Sequence, residues 1–145
     1  LSSAASDVYK RQPWACAVAY FGVLTASVQG LITPMLHDGF PSAAFFAFFI
    51  GHGLLLISVL YLPAVLQWRA RPWDDMRALG LCDAYLVFII PVNIWLDTNY
   101  GFTRYAPAGT VLEYFGSAPW YLLTLQIPAL ALLRLLYLTV RVRKK

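Results

Sequence analysis

Residues 43–66 read AAFFAFFIGHGLLLISVLYLPAVL, and a single ionisable side chain, His52, interrupts them. At ~1.5 Å of rise per residue, a helix of this length would be about 36 Å long, enough to cross a hydrocarbon core of ~30 Å with some tilt. The apolar residues do not alternate with period two, which argues against a strand of a membrane barrel. A helix is the remaining way to satisfy the backbone in lipid. Three other stretches share this character. Residues 13–33 carry no charge, residues 78–96 carry only Asp83, and residues 119–140 carry only Arg134. The chain is therefore predicted to be all-α, a polytopic transmembrane bundle with about four spans.

Composition points the same way. Of 145 residues, 60% are hydrophobic and 12% charged, against about a quarter charged in soluble domains. So few charges cannot solvate the surface of a soluble domain this small. A soluble enzyme, a disordered chain and a nucleic-acid binder are all poor fits, and no nucleic-acid partner is expected. The net charge of +4 comes from basic residues beside the spans.

The first twelve residues, LSSAASDVYKRQ, differ from all that follow. Small residues come first and Lys10-Arg11 last, the reverse of a signal peptide. Residues 2–12 match the translation of the end adaptor of a transposase-based sequencing library. They are expected to be an adaptor remnant. Residues 13–145 would then be the C-terminal part of one helical domain, whose missing N-terminal helices are among its expected partners.

Loop charges predict an orientation. Residues 67–77 hold Arg69, Arg71 and Arg77, and the tail holds Arg141, Arg143, Lys144 and Lys145. Residues 34–42 hold no Lys or Arg, and residues 97–118 hold only Arg104. Short basic loops stay cytoplasmic. Both basic segments can do so at once, because two spans separate them. A multi-pass protein of the plasma or inner membrane is expected, with the 67–77 loop and the C-terminus inside. Trp14, Trp68, Trp73, Trp95 and Trp120 all fall near span ends, as interfacial aromatics do.

Within this frame His52 is the foremost candidate for chemistry. It lies near mid-span, where ionisable groups usually face the bundle interior. The flanking Gly51 and Gly53 would admit a close neighbour. A neutral imidazole could serve as general base toward a nucleophile on another helix. The plainer reading is a histidine that hydrogen-bonds across helices. Asp83 is expected about one turn inside the third span, reaching the interface or a basic loop residue such as Arg77. Cys16 and Cys82 read as small packing residues. The segment 91–121 is dense in polar and turn-forming groups, and Asn93, Asn99, Tyr100 and Tyr121 are candidates for a substrate cavity. The loop could cap such a cavity or form a rigid turn. No phosphate loop, zinc set or serine elbow occurs, so no cofactor or metal is expected.

The run NIWLDTNYGFTRYAP followed by YFGSAPWYLL carries a family resemblance. With YFGVLTASVQGLITP and FFIGHGLLL upstream, it resembles the YwaF-like integral membrane proteins, to which eukaryotic transmembrane protein 164 is related. Asn93, Thr98-Asn99-Tyr100, Arg104, Pro107, Gly116 and Pro119-Trp120-Tyr121 match the pattern. Asp97 stands where the family has glycine, and Ser117-Ala118 replaces part of a second tryptophan motif. The resemblance implies acyl transfer between membrane lipids through a cysteine thioester, or hydrolysis. His52 would then be the base for a cysteine that this chain does not encode. The competing expectation is a non-enzymatic transporter or membrane-complex subunit.

Overall fold

The computed structural model describes residues 13–36 and 38–141. Residues 1–12, expected from the sequence to be an adaptor remnant, and His37, Arg143, Lys144 and Lys145 lie outside the described residues.

Helix α1 (Pro13–Ile32) is followed by α2 (Ala43–Ala64) and α3 (Asp74–Leu96). Short 3-10 turns at Tyr100–Phe102 and Val111–Phe115 lead to α4 (Trp120–Thr124) and α5 (Gln126–Val140). The last two together make one bent span, Trp120–Val140, so four segments are long and apolar enough to cross a membrane. The bend has a local cause. Pro128 has no N–H for the Thr124 carbonyl, and its ring crowds that carbonyl, so the helix breaks at Leu125.

Helix α1 is the hub and packs against α2, α3 and α5. Its buried face carries Ala17, Tyr20, Phe21 and Leu24 at helical spacing. Large apolar side chains such as Ile57, Val87, Phe88 and Ile127 point outward from the spans, as a lipid-facing surface requires. Ser42 caps α2, its Oγ accepting the Phe45 N–H at 3.1 Å.

The densest part of the core lies at the arginine-rich end. Trp68 folds back from the α2–α3 connection, and its ring sits 5.3 Å from Tyr20 and 6.5 Å from Phe21. It is a buried plug, whereas Trp14, Trp73, Trp95 and Trp120 are exposed. Burial takes Trp68 out of the expected interfacial set, while the other four are exposed near span ends. The Ala70 N–H donates to the Val140 carbonyl at 2.9 Å, and Ala70 bridges to Arg141. The two basic segments therefore meet at one end of the bundle.

Helix α3 begins at Asp74, one turn earlier than expected from apolar content. Two aspartates in its first turn explain this, since carboxylates suit the exposed donors and positive dipole of a helix N-terminus. Both are buried. Asp74 accepts the Arg71 N–H at 2.8 Å through Oδ2 and the Arg77 guanidinium at 2.9 Å through Oδ1. Asp75 faces Arg134 of α5 at 3.1 Å. That contact is an ion pair without hydrogen-bond geometry, so among the described residues Asp75 Oδ2 has no hydrogen-bond donor.

Candidate functional site: the His52 cavity

One turn of α2 sets the state of His52. Its Nδ1 lies 2.9 Å from the Phe48 carbonyl oxygen, four residues earlier. A carbonyl can only accept, so Nδ1 must carry the hydrogen. In the neutral imidazole, Nε2 then bears the free lone pair. The ring stacks on Phe48 with centroids 4.1 Å apart. Across from it stands Gly30 of α1, where a Cβ would come within 3.2 Å of Nε2. Gly51 and Gly53 face open space instead. The glycine that admits the imidazole thus comes from the neighbouring helix, not from the flanks of His52.

His52 lines a cavity of about 400 Å³ between α1, α2 and the loop that follows α3. Helix α1 contributes Thr25, Gln29 and Gly30, Thr33 follows directly at its end, and the loop contributes Gly101, Phe102, Pro107 and Thr110. The hydroxyls are occupied elsewhere. Thr25 donates to the Phe21 carbonyl at 2.8 Å, and Thr110 donates to the Pro107 carbonyl at 2.7 Å. Thr33 accepts from Gln29 Nε2 at 2.8 Å. Among the described residues no hydroxyl or thiol is hydrogen-bonded to Nε2. The free thiols of Cys16 and Cys82 lie outside the cavity lining.

The loop owes its shape to Asn93, which is fully buried near the end of α3. Its Nδ2 donates to the Tyr100 carbonyl at 2.7 Å and to Thr103 Oγ1 at 2.8 Å. Its Oδ1 accepts from Thr98 Oγ1 and from the Tyr100 N–H, both at 2.8 Å. Its backbone carbonyl accepts the N–H groups of Asp97 and Thr98, closing the helix. Asp97 takes φ 51° and ψ 41° there, the left-handed stop that favours glycine. A glycine would take this conformation without strain. An exposed ion pair with Arg104 replaces the lost freedom only in small part.

Asn99 holds the next turn, donating to the Tyr105 carbonyl at 3.0 Å and accepting the Arg104 N–H at 3.0 Å. Gly101 has φ 63°, and a Cβ there would meet Tyr85 and Leu86 at 3.2 Å. The turn that forms the cavity roof therefore needs glycine twice over, for conformation and for space.

The five candidates fall into two groups. His52 lines the cavity. Asn93, Asn99 and the Tyr100 backbone come together beyond its roof and shape the loop, while the Tyr100 side chain is exposed. Tyr121 is fully buried in α4, and among the described residues its hydroxyl has no hydrogen-bond partner. None of these four lines the His52 cavity. Thr25, Gln29 and Thr33 went unnoticed in the sequence. Their spacing of four residues places them on one helix face, and that stripe was the available signal.

Asp83 is also placed differently from expectation. It lies more than two turns into α3 and accepts from Gln126 Nε2 of α5 at 2.9 Å, not from Arg77. The earlier start of α3 moves it away from the interface, and a neutral carboxamide on a neighbouring helix satisfies it.

The fold and the cavity define a polytopic helical membrane protein with an intramembrane histidine facing a half-enclosed apolar space. The chain belongs to the TMEM164 family, whose model matches residues 3–137. No curated protein and no solved structure shows similarity to it.

Proposed function

We propose that the protein acts on membrane lipids, by acyl transfer or ester hydrolysis, with His52 as general base. The single observation that carries this reading is the fixed imidazole. Its Nδ1–H is committed to the Phe48 carbonyl, and its Nε2 lies against Gly30, with His52 and Gly30 both lining a cavity whose walls suit an acyl chain. In such a reaction Nε2 takes the proton of an attacking thiol or hydroxyl and returns it to the leaving oxygen. Among the described residues no thiol or hydroxyl is hydrogen-bonded to Nε2; the resemblance to YwaF-like proteins implies a cysteine as the attacking group in acyl transfer, and water attacks in hydrolysis. The arginine-rich end would be cytoplasmic by its loop charges, in a plasma or inner membrane, which places the cavity toward the opposite leaflet.

The test is lipid acyl exchange by the protein in its membrane, compared with His52→Gln. Exchange is expected to fall about 100-fold, the lower range for a lost general base, while thermal stability is retained. Unchanged exchange would remove His52 from any such mechanism. A second reading, a non-enzymatic complex subunit, draws on Asp83 and Gln126. They line an open groove of about 510 Å³ beside α4, where a polar group of another helix would be accommodated. That reading expects exchange to be absent in the unmodified protein too.

A further inference from the structure

The His52 cavity does not stand alone. A second cavity of about 570 Å³ lies at the end of the bundle opposite the arginines, between the end of α1 and loop residues 108–110. The two cavities share Thr33, Met35 and Thr110 as lining. Two of these shared side chains are held, since Thr33 bonds Gln29 and Thr110 bonds the Pro107 carbonyl. The third, Met35, lies beyond the end of α1 and is half exposed. A thioether on three rotatable bonds is the most adaptable apolar side chain there is. The partition between the cavities is thus one flexible residue between two fixed ones.

The chemistry of the inner cavity gives this arrangement a purpose. An imidazole lone pair among Phe48, Phe102 and Leu112 has no described donor to exchange a proton with. We infer that the two cavities form one passage, through which water and small polar solutes reach Nε2 of His52 from the far aqueous face, with Met35 as its movable wall. As regards reaction, this rests on the proposed role of His52. The co-reactant admitted is then water or a small hydroxyl compound, not a second acyl chain. Its O–H proton passes to Nε2 as its oxygen bonds to the ester carbonyl carbon. That proton leaves with the departing alkoxide as the old C–O bond breaks.

The passage can be tested without any activity. Cys16 and Cys82 are replaced by alanine, and single cysteines are introduced as Met35→Cys and Thr25→Cys. Thr25 lies eight residues below Thr33, about 12 Å deeper by helical rise. The protein is reconstituted in bilayers, and a membrane-impermeant cationic thiosulfonate is added to the water on both faces. N-ethylmaleimide, which crosses bilayers, reports whether each thiol is reactive at all. A continuous passage gives labelling at both positions, and adding Met35→Trp to Thr25→Cys slows labelling about tenfold, as ~1.4 kcal/mol of added barrier would. Labelling at Met35→Cys alone overturns the inference, whether or not N-ethylmaleimide reaches Thr25→Cys. Labelling at Thr25→Cys that ignores Met35→Trp also overturns it. Should Thr25→Cys fail to fold, Gln29→Cys lines the same cavity and takes its place. Acyl exchange is scored separately, so failure of the passage and failure of the proposed reaction give different results.

Discussion

Replacing Asn93 with leucine is expected to destabilise the protein by about 3–4 kcal/mol, measured by denaturant unfolding in micelles. Four side-chain hydrogen bonds end at this residue, each at 2.7–2.8 Å. A buried hydrogen bond contributes ~1 kcal/mol net, and stranding its partners costs more. The partners here include the buried Thr103 hydroxyl and both backbone groups of Tyr100. Leucine has a similar volume, so the loss reflects polar satisfaction and not a cavity. The effect should also be directional. Loop residues 98–105 should gain amide hydrogen exchange first, because Asn93 is what fastens them to α3. Asn99→Ala, whose hydrogen bonds are exposed, should cost about 1 kcal/mol or less. Equal losses at both positions would mean that Asn93 is not the anchor.

The second large effect is expected at the opposite end. Arg134→Met removes the cation facing Asp75, whose carboxylate is fully buried. Breaking a buried pair by removing one partner costs ~3–5 kcal/mol. The Arg134 side chain is 42% exposed, so water already weakens the pair, and a loss of about 2–3 kcal/mol is the better expectation. Adding Asp75→Asn should recover most of it, because the stranded charge is then gone. A double-mutant cycle isolates this coupling. Additive losses would show that the two residues act independently and that this ion pair does not join α3 to α5.

These two sites illustrate what sequence carries and what it hides. The spans were legible because each is long, apolar and nearly free of charge, and lipid leaves the backbone few alternatives. His52 was legible because an ionisable group at mid-span is conspicuous. Its surroundings were not legible. Gly30 belongs to another helix, and nothing local pairs it with His52. The pairing of Asp83 with Gln126 spans 43 residues, so the nearby Arg77 seemed the natural partner. Asp74 and Asp75 sat in an arginine-rich stretch that read as a loop. The partner of Asp75, Arg134, comes from α5, which local sequence does not specify.

The polar loop shows a different kind of ambiguity. Asn93, Asn99 and Tyr100 stood out for their polarity, and polarity in a membrane protein suggests a site. Two of those side chains are consumed by the loop's own backbone and hydroxyls. Composition cannot tell an amide that binds a ligand from one that binds its own chain. The spacing of Thr25, Gln29 and Thr33 was the better clue, because a repeat of four residues maps to one face without tertiary information.

The most direct measurement concerns the protonation of one ring. The protein is labelled with 15N-histidine, His37 is replaced by glutamine to leave a single imidazole, and spectra are recorded in bilayers above the ordinary histidine range of about 6.5. A protonated Nδ1 and a bare Nε2 are expected, with Nδ1–H donating to the Phe48 carbonyl. A protonated Nε2 would place a bare Nδ1 against a carbonyl oxygen. That result would contradict the hydrogen bond and the free base that the proposed role of His52 requires.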